Sequence, residues 1–216
     1  LGLGLGTLDL NFGLPASLGL VLLAEPTTAL LFRHGAFDDA DARQTSAMIA
    51  CYGFAVWAYG GLLIVHRGFY AVGDRQTPLR VGLVAVAVNL TLSLTLIWIV
   101  GGEGLAVSTS IAAVLQMAIA TWLIQQRIGG FDPRQMASTI GRTVIAVALM
   151  GATCWIAGRW LPPGESLTDR LVAVFVPMIA AIAVYLSAAK LLGLSEVGLL
   201  LGRSNRNDRD PIDKDA

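Results

Sequence analysis

The chain has 216 residues, 55% of them hydrophobic and only 14% charged, and its fifteen basic residues balance fifteen acidic ones. A soluble domain carries about 25% charged residues, so the composition excludes an ordinary cytosolic domain, a disordered chain and a nucleic-acid binder. It points to a membrane protein, in which charge matters by position rather than by sum.

A helix that crosses the hydrocarbon core needs about 20 apolar residues. Six stretches meet or nearly meet that length, which predicts an all-α, polytopic bundle of six transmembrane helices. The first runs from about Leu10 to Phe32 and is interrupted only by Glu25-Pro26. The second, Thr45 to Val65, the third, Val81 to Val100, and the fourth, Gly104 to Ile124, carry no charge. The fifth lies within Met136 to Gly158, with Arg142 near its start, and the sixth, Leu171 to Ala189, sits between Arg170 and Lys190. Residues 203–216 are polar without apolar periodicity and are expected to form a disordered cytoplasmic tail.

The linkers are too short to hold a soluble domain. Gly101-Gly102-Glu103 alone joins the third and fourth spans, which predicts a tight antiparallel hairpin. Asp38 and Asp41 read as a cap for the second helix. Asp132 reads as the N-cap of the fifth, with Pro133 at its first helical position. Lys and Arg divide unequally between the two faces. Arg67, Arg75, Arg80, Arg127, Arg134, Arg142, Lys190 and the four basic residues of the tail share one side, and Arg33, Arg43, Arg159 and Arg170 the other. The richer side is expected to be cytoplasmic, and an even helix count then puts both termini there. Trp98, Trp155 and Trp160 fall near the outer ends, as an aromatic belt would. The chain opens on Leu1 with no basic region before its first apolar run, so it reads as part of a longer polypeptide rather than as a signal peptide.

Little in the sequence carries chemistry. Cys51 and Cys154 lie in apolar stretches and read as small core residues. His34 and His66 have no cysteine companions at zinc spacing. The N-terminal Gly-Leu-Gly-Leu-Gly lacks the strand and helix context of a phosphate loop. No nucleophile elbow or paired carboxylate is present, and the chain is read as a non-enzyme.

Polar residues inside a bilayer are costly and therefore candidate functional positions. Glu25, next to Pro26, reads either as a gate at a broken helix or as an interfacial residue reaching water. Asn89 and Ser93 share one face of the third helix. With Thr109 of the fourth they form a candidate set of oxygens for a hard cation such as sodium, or ordinary interhelical hydrogen bonds. Gln116 reads as interhelical glue or a cavity-lining donor. Arg67, Asp74 and Arg80 cluster in a cytoplasmic linker, where they would meet phosphate groups of a substrate or of lipids, or simply anchor and turn the chain.

The linkers carry a resemblance. Glu25-Pro26, Leu30 to Arg33, Gly35 and Phe37 resemble the outer turn of the MurJ/MviN family of lipid II flippases. Arg67, Phe69-Tyr70-Ala71, Asp74 and Thr77-Pro78 match that family's cytoplasmic linker, and Asn89, Gly104-Leu105-Ala106 and Ser108 to Ser110 continue the pattern. The similarity covers about residues 12 to 127; the last two spans match in hydropathy and length only.

The resemblance implies a two-lobed transporter of about fourteen helices, built from repeated lobes, in the multidrug/oligosaccharidyl-lipid/polysaccharide exporter superfamily. Such proteins move the lipid-linked peptidoglycan precursor, lipid II, across the bacterial cytoplasmic membrane by alternating access. Residues 1–130 then belong to the C-terminal lobe and residues 131–202 to a terminal helix pair, and the N-terminal lobe is a partner absent from this sequence. No cofactor is implied beyond a sodium ion or the membrane potential. The resemblance implies a sodium site in the C-terminal lobe: Asn89, Ser93 and Thr109 sit at matching positions, a carboxylate is expected among the ligands where Ser93 offers only a hydroxyl, and the ligand from an earlier helix is absent from this sequence. Two other readings are another exporter of the superfamily and a non-transporting membrane scaffold.

Overall fold

The computed structural model describes residues 13–32, 38–128, 133–160 and 166–192, with the backbone alone at 128 and 133–140. Expectations for Leu1 to Phe12, Arg33, Gly35, Phe37, Asp132 and the 203–216 tail fall outside these residues. Within them lie seven helices: α1 (Gly13–Leu22) and α2 (Ala24–Phe32), α3 (Asp39–Ala71), α4 (Gln76–Val100), α5 (Glu103–Ile128), α6 (Pro133–Trp160) and α7 (Leu167–Leu191). Five are long and apolar enough to cross a membrane, and α1 with α2 makes a sixth if the bent pair is one span.

The first span is thus not one straight helix. α1 and α2 meet at 60°, and the break falls at Leu23. Its cause is Pro26, which has no N–H to give to Leu22 and whose ring crowds that carbonyl. Helical bonds persist on either side, Leu23 N–H to Gly19 O at 2.9 Å and Thr27 N–H to Leu23 O at 3.0 Å.

α3 begins on a reciprocal cap. Asp38 Oδ1 accepts from the N–H groups of Ala40 and Asp41, each at 2.8 Å, and Asp41 Oδ2 accepts from Asp38 N–H at 3.3 Å. The helix runs 33 residues, about 50 Å, well beyond the ~30 Å hydrocarbon core. Its charged first turn and Arg67 near its end therefore stand clear of the apolar centre. α4 ends at Gly101, whose φ of +77° turns the chain at once into α5.

α5 packs against both α3 and α4, which barely touch each other. Leu62 and Phe69 of α3 meet Val81 of α4 and Ala120 and Ile124 of α5. Nearer the middle of α3 its contact with α5 is made by Ala55, Ala58 and Ala113. α6 and α7 form a second unit around Ala146, Met150, Cys154, Ala181, Tyr185 and Ala189, onto which Leu22 and Leu23 pack. Alanine dominates because lipid offers no hydrophobic gain for joining helices, so close approach and van der Waals contact must hold them. Trp98, Trp155 and Trp160 all project outwards.

The bent span lies between the two units, touching α3 and α7. Arg170, in the first turn of α7, donates from Nη1 to Ala29 O at 3.4 Å. That carbonyl belongs to the last turn of α2, where no intrahelical donor remains. On the other side, a Cβ added to Gly53 of α3 would lie 2.8 Å from Leu20 Cβ, so only glycine lets α1 approach so near. Gly53→Leu is expected to cost about 1–3 kcal/mol by overpacking, read as a lower apparent unfolding temperature in detergent. Gly158→Ala, where nothing lies within 4 Å, should leave that temperature unchanged or raise it.

Candidate functional site

Most of the candidate polar residues fall into three groups. The first is the α4–α5 hairpin. Ser93 Oγ lies 2.6 Å from Ser108 Oγ and donates to Asn89 Oδ1 at 3.2 Å. Ser108 Oγ also approaches Leu105 O at 2.9 Å, and Thr109 Oγ1 donates to that same carbonyl at 2.8 Å. Two serine protons thus serve three contacts, so Ser93, Ser108 and Asn89 share a small closed network. Asn89 and Ser93 are bonded to each other directly, and the α5 residue that reaches them is Ser108 rather than Thr109. The Thr109 hydroxyl is turned to its own helix backbone. Every oxygen here is neutral, and among the described residues no group of three His, Cys, Asp or Glu could hold a metal.

The second place is the α3–α4 connection. Gly73, at φ +76°, reverses the chain, and Asp74 caps α4. Its Oδ1 accepts from Gln76 N–H at 3.1 Å and Thr77 N–H at 3.0 Å, and its Oδ2 accepts from the Thr77 hydroxyl at 2.6 Å. Arg127, at the end of α5, reaches Oδ2 at 3.1 Å. Asp74 therefore pairs with Arg127 rather than with Arg67 or Arg80. Arg80 Nη2 donates to Gln76 Oε1 at 3.3 Å, and Arg67 is exposed. The Thr77 hydroxyl and then the Thr77 N–H, with lesser help from Arg127 and the Gln76 N–H, hold the Asp74 carboxyl below its ordinary value, and burial opposes them.

Gln116 marks the third place. It lines an open groove between α3 and α4 together with His66, Tyr70, Arg75 and Gly82. It stands apart from the Asn89 network and faces the linker end instead. Glu25 is exposed in the first turn of α2, just past the break, where the helix N-terminus favours a negative charge.

Sequence reasoning missed three contacts. Arg127 was legible only as a basic residue expected on the same face as Asp74. Ser17 accepts the Trp57 N–H at 2.8 Å, and Ser110 donates to Cys51 O at 2.6 Å. Their signal is a small hydroxyl residue within an apolar span.

A carboxyl with a lowered pKa stabilises the fold above its unfolded value, about 3.9, and that contribution disappears as pH falls through the lower folded value. Asp74→Asn is accordingly expected to lower the unfolding temperature at neutral pH. The difference from the parent should shrink as both are titrated below about pH 4. A pH-independent difference would show that the cap acts without its charge.

The comparisons agree with this architecture. The family model "Lipid II flippase MurJ" matches residues 7–189. The "Probable lipid II flippase MurJ" of Vibrio cholerae is 31% identical over 186 residues, covering 84% of this chain and 35% of its own length. Its Rhizobium tropici and Thermotoga maritima namesakes are 28% and 26% identical over 192 residues each. A solved structure, "Lipid II flippase MurJ, inward closed conformation", superposes with a TM-score of 0.66 at 20% identity, covering 87% of this chain and 37% of its own. That likeness speaks for the fold. The chain thus spans about a third of the length of the relatives it matches. With a family model matched from its first described helix into its last, the chain belongs to the lipid II flippase MurJ family.

Proposed function

We propose that this chain is the C-terminal portion of a transporter that moves lipid II from the inner to the outer leaflet of the bacterial cytoplasmic membrane. The observation that carries this is the family match over residues 7–189. Transport proceeds by rocking of this part against the N-terminal lobe, which exposes a central cavity to each face in turn. The chain contributes helices and a hinge rather than catalytic groups. The α1–α2 bend at Leu23 is the hinge, and Arg170 on Ala29 O ties its outer arm to the terminal pair.

The distribution of Lys and Arg supports a cytoplasmic α3–α4 connection and cytoplasmic termini, with α1 and α2 crossing as one bent span. We further propose that a sodium ion or the membrane potential biases the two states. An elementary charge moved across the membrane is worth about 2.3 kcal/mol per 100 mV. Asn89 and Ser93 would supply the cation's first oxygens, with Thr109 added only if its hydroxyl leaves Leu105 O.

In the full-length protein, Asn89→Ala should reduce the sodium dependence of lipid II flipping in proteoliposomes. Unchanged dependence assigns Asn89, Ser93 and Ser108 to hairpin stability alone. Arg67→Ala should impair complementation of a flippase-depleted strain at normal protein level. Normal growth would make Arg67 a topological anchor only. Pro26→Ala restores a helical donor at the bend and should slow flipping without loss of protein. An unaffected rate removes the hinge from the mechanism.

A further inference from the structure

The groove between α3 and α4 has a polar end and an apolar wall. α3 and α4 diverge there, and α5 supplies the floor through Gln116. The opening is about 940 Å³, at the upper end of what small-molecule sites enclose. Its polar end is formed by Arg75, His66 and Tyr70, and its wall by Pro78, Leu79, Gly82, Leu83 and Val86 of α4. From Pro78 to Val86 the helix rises about 12 Å, most of the ~15 Å of hydrocarbon in one leaflet.

Two observations at the polar end call for an anionic partner. Arg67, Arg75, Arg80 and Arg127 surround the connection, where Asp74 is the one carboxylate, and Asp74 is already occupied by Arg127 and Thr77. Arg75 has no ion-pair partner among the described residues. His66 Nε2 is buried with no hydrogen-bond partner, a costly state for a ring nitrogen beside a groove.

The wall speaks for a lipid chain rather than a packed helix. Helices pack in membranes on small residues, whereas Leu79, Leu83 and Val86 are large, and each is more than 60% exposed. Gly82 alone is small, and it opens the wall toward the Gln116 amide, whose Nε2 would lie 3.8 Å from a Cβ placed there.

We propose that the α3–α4 groove is a binding site for one anionic phospholipid, its phosphate between Arg75 and His66 and one acyl chain along Leu79, Leu83 and Val86. One free guanidinium and one imidazole suit a single phosphate rather than a diphosphate. The site does not depend on flippase activity; only its assignment to the cytoplasmic leaflet rests on the orientation proposed above.

The test uses the full-length protein in nanodiscs of phosphatidylcholine doped with phosphatidylglycerol, followed by native mass spectrometry. One phosphatidylglycerol should be retained in preference to phosphatidylcholine. Retention should fall about fivefold in Arg75→Gln, the loss expected for one basic contact with a headgroup. Arg142→Gln, outside the groove, should retain the lipid fully. Equal retention of the two lipids, or no effect of Arg75→Gln, overturns the site. A photoreactive residue in place of Leu83 gives a second readout on an otherwise unaltered protein. Cross-linking to phospholipid supports the proposal. Cross-linking to another helix of the protein, or displacement of the bound lipid by an undecaprenyl diphosphate, overturns it.

Discussion

In a bilayer, helices gain nothing from hiding apolar surface from one another, because lipid is equally apolar. What holds this chain together is therefore the engagement of the α3 backbone from both sides. Ser17 of α1 accepts the Trp57 N–H, and Ser110 of α5 donates to Cys51 O, six residues earlier on the same helix. Each is a hydroxyl meeting a main-chain group in the middle of a span, away from competing water. Around these two bonds the contacting residues are Gly53, Ala55, Ala58 and Ala113. The order of the bundle follows: α1 lies on one side of α3, α5 on the other, and α4 hangs from α5.

The bend at Leu23 belongs to the same system. Gly53 lets α1 sit close to α3, and past the bend imposed by Pro26 α2 packs on both α3 and α7. α2 then runs towards α7, where Arg170 satisfies a carbonyl that the helix end leaves open. α2 and α7 are thus linked through a carbonyl left open at the end of its own helix. The link between the α3–α5 unit and the α6–α7 pair is short and polar at Ala29 and Arg170 and apolar around Leu22 and Leu23.

Much of this was legible in the residues. The spans follow from hydropathy, and each helix extends a few residues past its apolar stretch because capping groups sit there: Asp38 before α3, Asp74 before α4 and Ser166 before α7. The break at Glu25-Pro26 was visible because proline lacks a donor. Its 60° angle was not, since it depends on what α1 and α2 each pack against. The site was less legible. Ser108 and Thr109 lie at nearly the same depth opposite Ser93, and depth is all the hairpin length conveys. They differ by about 100° in rotation about the helix axis, which only the packing of α5 on α4 decides. Asp74 was seen, but its partner Arg127 is 53 positions further along the chain, brought near by the long α4–α5 return.

The turn at Gly101 and Gly102 has a mechanical corollary. So short a connector cannot take up a slide of one helical turn, about 5.4 Å, between α4 and α5. The Ser93–Ser108 bond and the Asp74–Arg127 pair tie the two helices near opposite ends of that return. α4 and α5 are thereby reduced to one body with no internal piston freedom. Any large displacement within the chain has to be a rotation elsewhere, and the proline break at the head of α2 is the place where the main chain already lacks the bond that would resist it.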